Sequence, residues 1–133
     1  MVTRPKILVV EDDQDCCEAL RGVLALQGYD AMCGRDGREA LAQLRTEPFD
    51  VLVVDLALSD VSGLDVIRAA RALPDAPAIV VFTGHHRLKA EAEAAGCDAF
   101  VLKPALEELL ACVSTVIAAR LAQSVTPARK GRG

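Results

Sequence analysis

Apolar runs of four or five residues recur along the chain, and each ends on polar chemistry. Ile7-Leu8-Val9-Val10 runs into Glu11, Asp12 and Asp13, and Val51-Leu52-Val53-Val54 runs into Asp55. Ala78 to Phe82 ends on Thr83-Gly84, and Asp98 to Leu102 ends on Lys103-Pro104. None of these runs alternates polar and apolar residues. That pattern predicts strands buried on both faces, as in a parallel sheet. Tyr29 to Cys33 predicts a shorter, weaker strand.

The intervening segments carry helical spacing. Cys17, Leu20, Val23, Leu24 and Leu26 predict a helix over 14–27, with Asp13 as its cap and Gly28 as its end. Asp36 caps a second helix, with Glu39 three residues on as in a capping box. Ser62 caps a third, with Leu64, Ile67 and Ala70 inward. A fourth runs from about Leu88 to Ala95 and closes on Gly96. A fifth starts at Pro104 and presents Leu106, Leu109, Leu110, Val113, Ile117 and Leu121 as one stripe. The domain is expected to span residues 4–121, followed by a flexible basic tail over 122–133.

Strand then helix, five times over, predicts an α/β protein: a doubly wound five-stranded parallel sheet with helices on both faces. The common order 2-1-3-4-5 sets strands 1 and 3 side by side at the switch point. Glu11, Asp12 and Asp55 then meet at one edge, and strands 4 and 5 bring Thr83 and Lys103 to the same rim.

Composition narrows the function. The 133 residues carry a net charge of −4, which disfavours nucleic acid as the main partner, so no direct DNA binding is expected. Aromatics are only 3%, so aliphatic residues must fill the core. The five cysteines include the adjacent Cys16 and Cys17 and fit neither a disulfide framework nor a zinc spacing. Their odd number and the lack of a signal peptide point to a reducing cytoplasm. No apolar run is long enough to cross a bilayer, so no membrane partner is expected.

Three clustered carboxylates repel one another, and a divalent cation relieves that repulsion. Hard oxygen ligands suit Mg²⁺, which needs only one or two carboxylates and retains several waters. Lys103 adds a mobile point charge able to pair with Asp55 or a phosphoryl oxygen. Thr83 adds a hydroxyl donor, and Gly84 an unobstructed N–H. These parts suit phosphoryl transfer with Asp55 as the nucleophile. Taken singly each has a plainer reading: the acids as a helix cap or solvated turn, Lys103-Pro104 as an ordinary helix start, His85 and His86 as solvated loop residues.

The stretches Ile7 to Asp13, Val53 to Gly63, Val81 to Gly84 and Asp98 to Pro104 together resemble the receiver domain of two-component response regulators. The likeness covers roughly residues 4–121. It implies the flavodoxin-like three-layer sandwich of single-domain, chemotaxis-type regulators. It implies Asp55 as phosphoacceptor, with Thr83 and Lys103 holding the phosphoryl group. Asp12, Asp55 and the Ala57 carbonyl would hold Mg²⁺, with Glu11 acting largely through water. Phe100 would be the aromatic switch, while Ala57 and His85 would flank the hydrolytic water and set phosphoryl lifetime. The partners implied are a histidine kinase or histidine phosphotransfer protein, and an effector at the face of helix 4, strand 5 and helix 5. Such a domain catalyses its own phosphorylation and dephosphorylation in a phosphorelay but is not an enzyme acting on other substrates.

Ser59 stands where a proline is common in that family, Phe100 where tyrosine is frequent, and the segment from Thr83 to Lys103 is about two residues short. No output domain is expected after helix 5, so the chain reads as a free-standing receiver or a receiver cut from a longer chain. Two alternatives remain: a phosphorylation-independent interaction module on the same fold, and a metal-dependent aspartyl-phosphate hydrolase. The hydrolase would usually carry an acid two residues after its nucleophile, where this chain has Ala57.

Overall fold

The computed structural model describes residues 4–130, with side chains through Gln123. Five parallel strands alternate with helices: β1 (Lys6–Val10), α1 (Gln14–Leu26), β2 (Asp30–Gly34), α2 (Gly37–Thr46), β3 (Val51–Val54), α3 (Gly63–Arg71), β4 (Ala78–Thr83), α4 (Lys89–Ala95), β5 (Ala99–Leu102) and α5 (Leu106–Lys130). The sheet order is β2-β1-β3-β4-β5, as expected.

Side chains alternate across the pleat, and the apolar runs therefore feed two separate cores. Leu8, Val10, Leu52, Val54, Ile79 and Val81 pack under Ala40, Leu44, Val66, Ile67, Ala70 and Ala92 from α2, α3 and α4. Ile7, Val9, Val51, Val53, Val80 and Phe82 pack under Cys17, Leu20, Leu24, Leu109, Val113 and Ile117 from α1 and α5. Both faces of β1, β3 and β4 are covered, which is why those strands show no polar alternation.

The caps read from sequence form. Asp13 accepts from Cys16 N–H, Asp36 from Glu39 N–H and Ser62 from Leu64 N–H. Gly28 and Gly96 leave α1 and α4 with positive φ, which only glycine adopts readily.

Several expectations shift. Glu39 does not return to the Asp36 amide; its carboxylate takes the N–H of Arg35 at 2.7 Å. Leu26 is 87% exposed, because it lies about 200° around the helix from Leu24 and so faces away from the sheet. Leu121 is likewise 64% exposed. Pro104 precedes α5 in a turn that the Ala105 N–H closes onto Leu102 at 3.0 Å, and the helix starts only at Leu106. A short 3₁₀ turn, His86–Leu88, leads into α4. The backbone of α5 continues to Lys130, past the expected limit at residue 121, although Pro127 lies within it. Residues 131–133 of the expected tail lie outside the described residues.

Candidate phosphoacceptor site

The parallel register carries the four polar strand ends to one rim. Val10 pairs with Val54, and the Asp55 N–H extends that ladder to the Val10 carbonyl at 3.0 Å, which aligns Glu11 with Asp55. Thr83 pairs with Leu102, and the Lys103 N–H reaches the Thr83 carbonyl at 2.9 Å. Glu11, Asp55 and Thr83 are the buried polar or charged residues among those described, at 3%, 8% and 0% exposure. Among the described residues, the polar side chains buried as whole residues thus gather in one place, as expected of a functional centre.

Asp55 is held from three sides. Its Oδ1 accepts from the Thr83 hydroxyl at 2.8 Å and from the Ala57 N–H at 3.1 Å. Its Oδ2 faces Lys103 Nζ at 3.0 Å. Burial opposes its ionisation, but Lys103, the Ala57 N–H and the Thr83 hydroxyl outweigh that penalty and hold the carboxyl below its ordinary value. Asp55 is therefore kept as a carboxylate.

Lys103 also binds Glu11, with Nζ 2.5 Å from Oε1. Burial would lower its pKa, but the two carboxylates raise it above the usual lysine range, so it stays cationic. The ammonium lies 6.0 Å from the centre of the Phe82 ring, a favourable place for a cation. The other Glu11 oxygen accepts from the Asp13 N–H at 3.2 Å. The repulsion expected between Glu11 and Asp55 is thus relieved by Lys103, a partnership of Lys103 with Glu11 that sequence reasoning did not foresee.

Asp12 follows Glu11 on the exposed lip, and the ion pairs of the described site do not engage it. The Ala57 carbonyl accepts no backbone hydrogen bond among the described residues. Among the described residues no group of three or more acids, cysteines or histidines is placed to hold a metal ion by itself. The donors present are one free carboxylate, one bound carboxylate with spare lone pairs and one free carbonyl. This open, all-oxygen set fits Mg²⁺, which fills the rest of its shell with water.

His85 lies at the same rim, its side chain exposed and its N–H 3.3 Å from the Thr83 hydroxyl oxygen. Phe100 stands farther back: it pairs with Val81 in the sheet, is half-buried, and packs on the core under α3 and α4.

Two contributors escaped the sequence reading. Gly63 lies directly under the Asp55 backbone, where a Cβ would come within 2.4 Å of the carbonyl oxygen. Asp60 reaches out of the Asp55–Ser62 loop to the N-terminus of α2. The glycine beside the Ser62 cap was the available clue for the first; the second had no local clue.

Over residues 7–114 the chain matches the response regulator receiver domain family. It is 38% identical over 109 residues to the response regulator MprA of Mycolicibacterium vanbaalenii, covering 80% of this chain and 47% of that protein. The MprA of Mycobacterium tuberculosis gives the same identity and the same coverage of both chains. The chain therefore spans about half the length of these curated relatives. Among solved structures, the chemotaxis regulator CheY4 of Vibrio cholerae superposes with a TM-score of 0.80 at 28% identity, covering 86% of this chain and 99% of that one. The response regulator TrrA of Thermotoga maritima, solved in complex with Mg²⁺ and BeF, gives 0.78 at 26% identity, covering 84% and 98%. The rim geometry and the match over most of the chain agree: the protein belongs to the response regulator receiver domain family of two-component signalling.

Proposed function

We propose that the protein takes a phosphoryl group from a phosphohistidine, on a histidine kinase or phosphotransfer protein, onto Asp55 and thereby changes its affinity for an effector. The observation that carries this reading is the state of Asp55: a nearly buried carboxylate kept ionised by Lys103, Thr83 and the Ala57 N–H.

An Asp55 carboxylate oxygen forms the new O–P bond as the N–P bond to the donor imidazole breaks, and the released imidazole takes up a proton. Lys103 and the Thr83 hydroxyl, now on the Asp55 carboxylate, turn to the incoming phosphoryl oxygens. Asp12, Asp55 and the Ala57 carbonyl are the groups suited to Mg²⁺, which supplies positive charge for the phosphoryl oxygens. Glu11 holds Lys103 and meets the metal through water. Hydrolysis later reverses the modification, with Ala57 and His85 flanking the approach of water. The protein is a phosphoacceptor that modifies itself rather than an enzyme turning over a separate substrate.

The signal leaves through β4 and β5. Thr83 shifts toward the phosphoryl group, and Phe100, on the neighbouring strand and the same sheet face, occupies the space behind it. The effector binds over α4, β5 and α5, where Leu102 is 42% exposed. Residues 4–121 act as the receiver unit and 122–133 as a basic extension. The signalling is cytoplasmic, and no described helix is long and apolar enough to cross a membrane.

Incubation with acetyl phosphate and Mg²⁺, followed by intact mass measurement, tests the reading. One stable phosphate adduct, absent in Asp55→Asn, is expected. Release of many equivalents of phosphate would mean a hydrolase, and no adduct would mean a binding module indifferent to phosphate.

A further inference from the structure

The loop that follows the phosphoacceptor is anchored at both ends, and the far anchor is a carboxylate. Next to Asp55, the Gly63 N–H bonds the Leu56 carbonyl at 3.2 Å, and Gly63 packs under the Asp55 backbone. At the tip, Asp60 Oδ1 accepts the Gly37 N–H and Oδ2 the Arg38 N–H, both at 2.9 Å. These are the first two residues of α2, whose amides have no partner within the helix. Against a desolvation cost, these N–H groups hold the Asp60 carboxyl below its ordinary value. The loop lies so near α2 that a Cβ on Gly37 would fall 2.0 Å from Val61 Cγ2.

Asp60 takes two amides at the start of α2, but the helix also has a cap of its own. Asp36 already takes the Glu39 N–H at 2.8 Å, and Glu39 secures the preceding Arg35 amide. Ser59 is exposed and supplies no proline stiffness, and between the anchors lies Ala57, whose N–H bonds Asp55 and whose carbonyl faces no backbone donor.

We infer that Asp60 is a positioning residue for the phosphoacceptor site: by clasping α2 it fixes the Asp55–Ser62 loop and so aims the Ala57 carbonyl at the metal position. This rests on the receiver reading and extends it to a residue that touches neither metal nor phosphoryl group. Outer partners that orient metal ligands commonly affect metal affinity by an order of magnitude.

The test compares wild type, Asp60→Ala, Asp60→Asn and Asp36→Ala. The last removes a charge and a cap from the same helix end but leaves the loop tether intact. Two quantities are read: hydrogen exchange of the Ala57 amide in metal-free protein, and Mg²⁺ affinity by calorimetric titration. Asp60→Ala should speed Ala57 exchange and weaken Mg²⁺ about tenfold. Asp60→Asn, which keeps one acceptor oxygen, should fall between it and wild type. Asp36→Ala should leave both readouts near wild type although it weakens α2. Unchanged Ala57 exchange in Asp60→Ala, or an equal loss of Mg²⁺ affinity in Asp36→Ala, would overturn the inference. Failure of the receiver reading itself would show separately, as a wild-type protein that acquires no phosphate on Asp55.

Discussion

Gly63 and Asp55 meet backbone to backbone: a Cβ on Gly63 would lie 2.4 Å from the Asp55 carbonyl oxygen and 2.6 Å from the Leu56 Cα. Neither atom belongs to a side chain that could rotate away, so any larger residue must push the acceptor strand end or the start of α3. Gly63→Ala should cost about 1–3 kcal/mol of stability, as overpacking does. It should also slow labelling by acetyl phosphate, because the displaced atoms lead directly into the nucleophile. Urea midpoints and mass spectrometry would measure the two effects, and an unchanged midpoint would show that the close approach relaxes freely.

Lys103 pairs with two buried carboxylates at once, and removing it exposes their full repulsion. Lys103→Met should destabilise the metal-free protein by about 1–3 kcal/mol, between the values for exposed and buried ion pairs. Added Mg²⁺ should recover part of that loss, since it restores positive charge beside Asp55. Thermal melts with Mg²⁺ and with EDTA would show whether the recovery occurs.

The difference between these two predictions mirrors what could be read in the sequence. Lys103 was legible because it ends an apolar run, and a charge at the tip of a doubly buried strand requires a partner. The caps Asp13, Asp36 and Ser62 were legible because their bonds span three residues or fewer. The Asp60–Gly37 bond spans 23 residues and joins two surface segments, so no periodicity records it. Leu26 misled because an apolar residue near a helix end fits a stripe by type while its angle points it outward. The Glu11–Lys103 pair was obscured by an equally reasonable partner for each, metal for one and Asp55 for the other.

Thr83 is fully buried and spends its hydroxyl on Asp55. Thr83→Ala should cost about 1 kcal/mol, the usual net worth of one hydrogen bond. It should still accept phosphate on Asp55 but lose most of the phosphorylation-dependent gain in effector affinity. The companion measurement is ring NMR of labelled Phe100 with and without beryllofluoride. Two exchanging environments are expected in wild type, since phosphate need only shift a population between them. A single unchanging environment would make Phe100 a static core residue.

Phosphoryl lifetime should respond to Ala57. This side chain offers no amide to orient an attacking water, so Ala57→Asn should shorten the half-life of the adduct. The decay of the phosphorylated species by mass spectrometry measures it directly. An unaltered half-life would remove this position from the hydrolytic path.

Acid should weaken the start of α2. The Arg35 N–H and guanidinium hold the Glu39 carboxyl below its ordinary value. A depressed carboxyl stabilises the fold above its unfolded pKa, and that contribution is lost as pH falls through the folded value. Glu39→Gln should therefore lower the melting temperature near neutral pH, and the gap to wild type should close as the pH falls below the ordinary glutamate range. The Glu39 side chain is 36% exposed and its ion pair is screened by solvent, so the gap will be small. A gap that widens in acid would contradict the direction of the shift.

The strands all run the same way, and α5 returns antiparallel to them, so the two ends of the described chain share a side. Arg4 and Pro5 line one concavity with Ile117, Arg120 and Leu121. Asp55 lies at the opposite ends of the strands, about 17 Å away for a strand of five residues. Architecturally this is a socket with its wiring at the back: a fluorophore or tether joined at either end of the described chain would sit on the side away from Asp55.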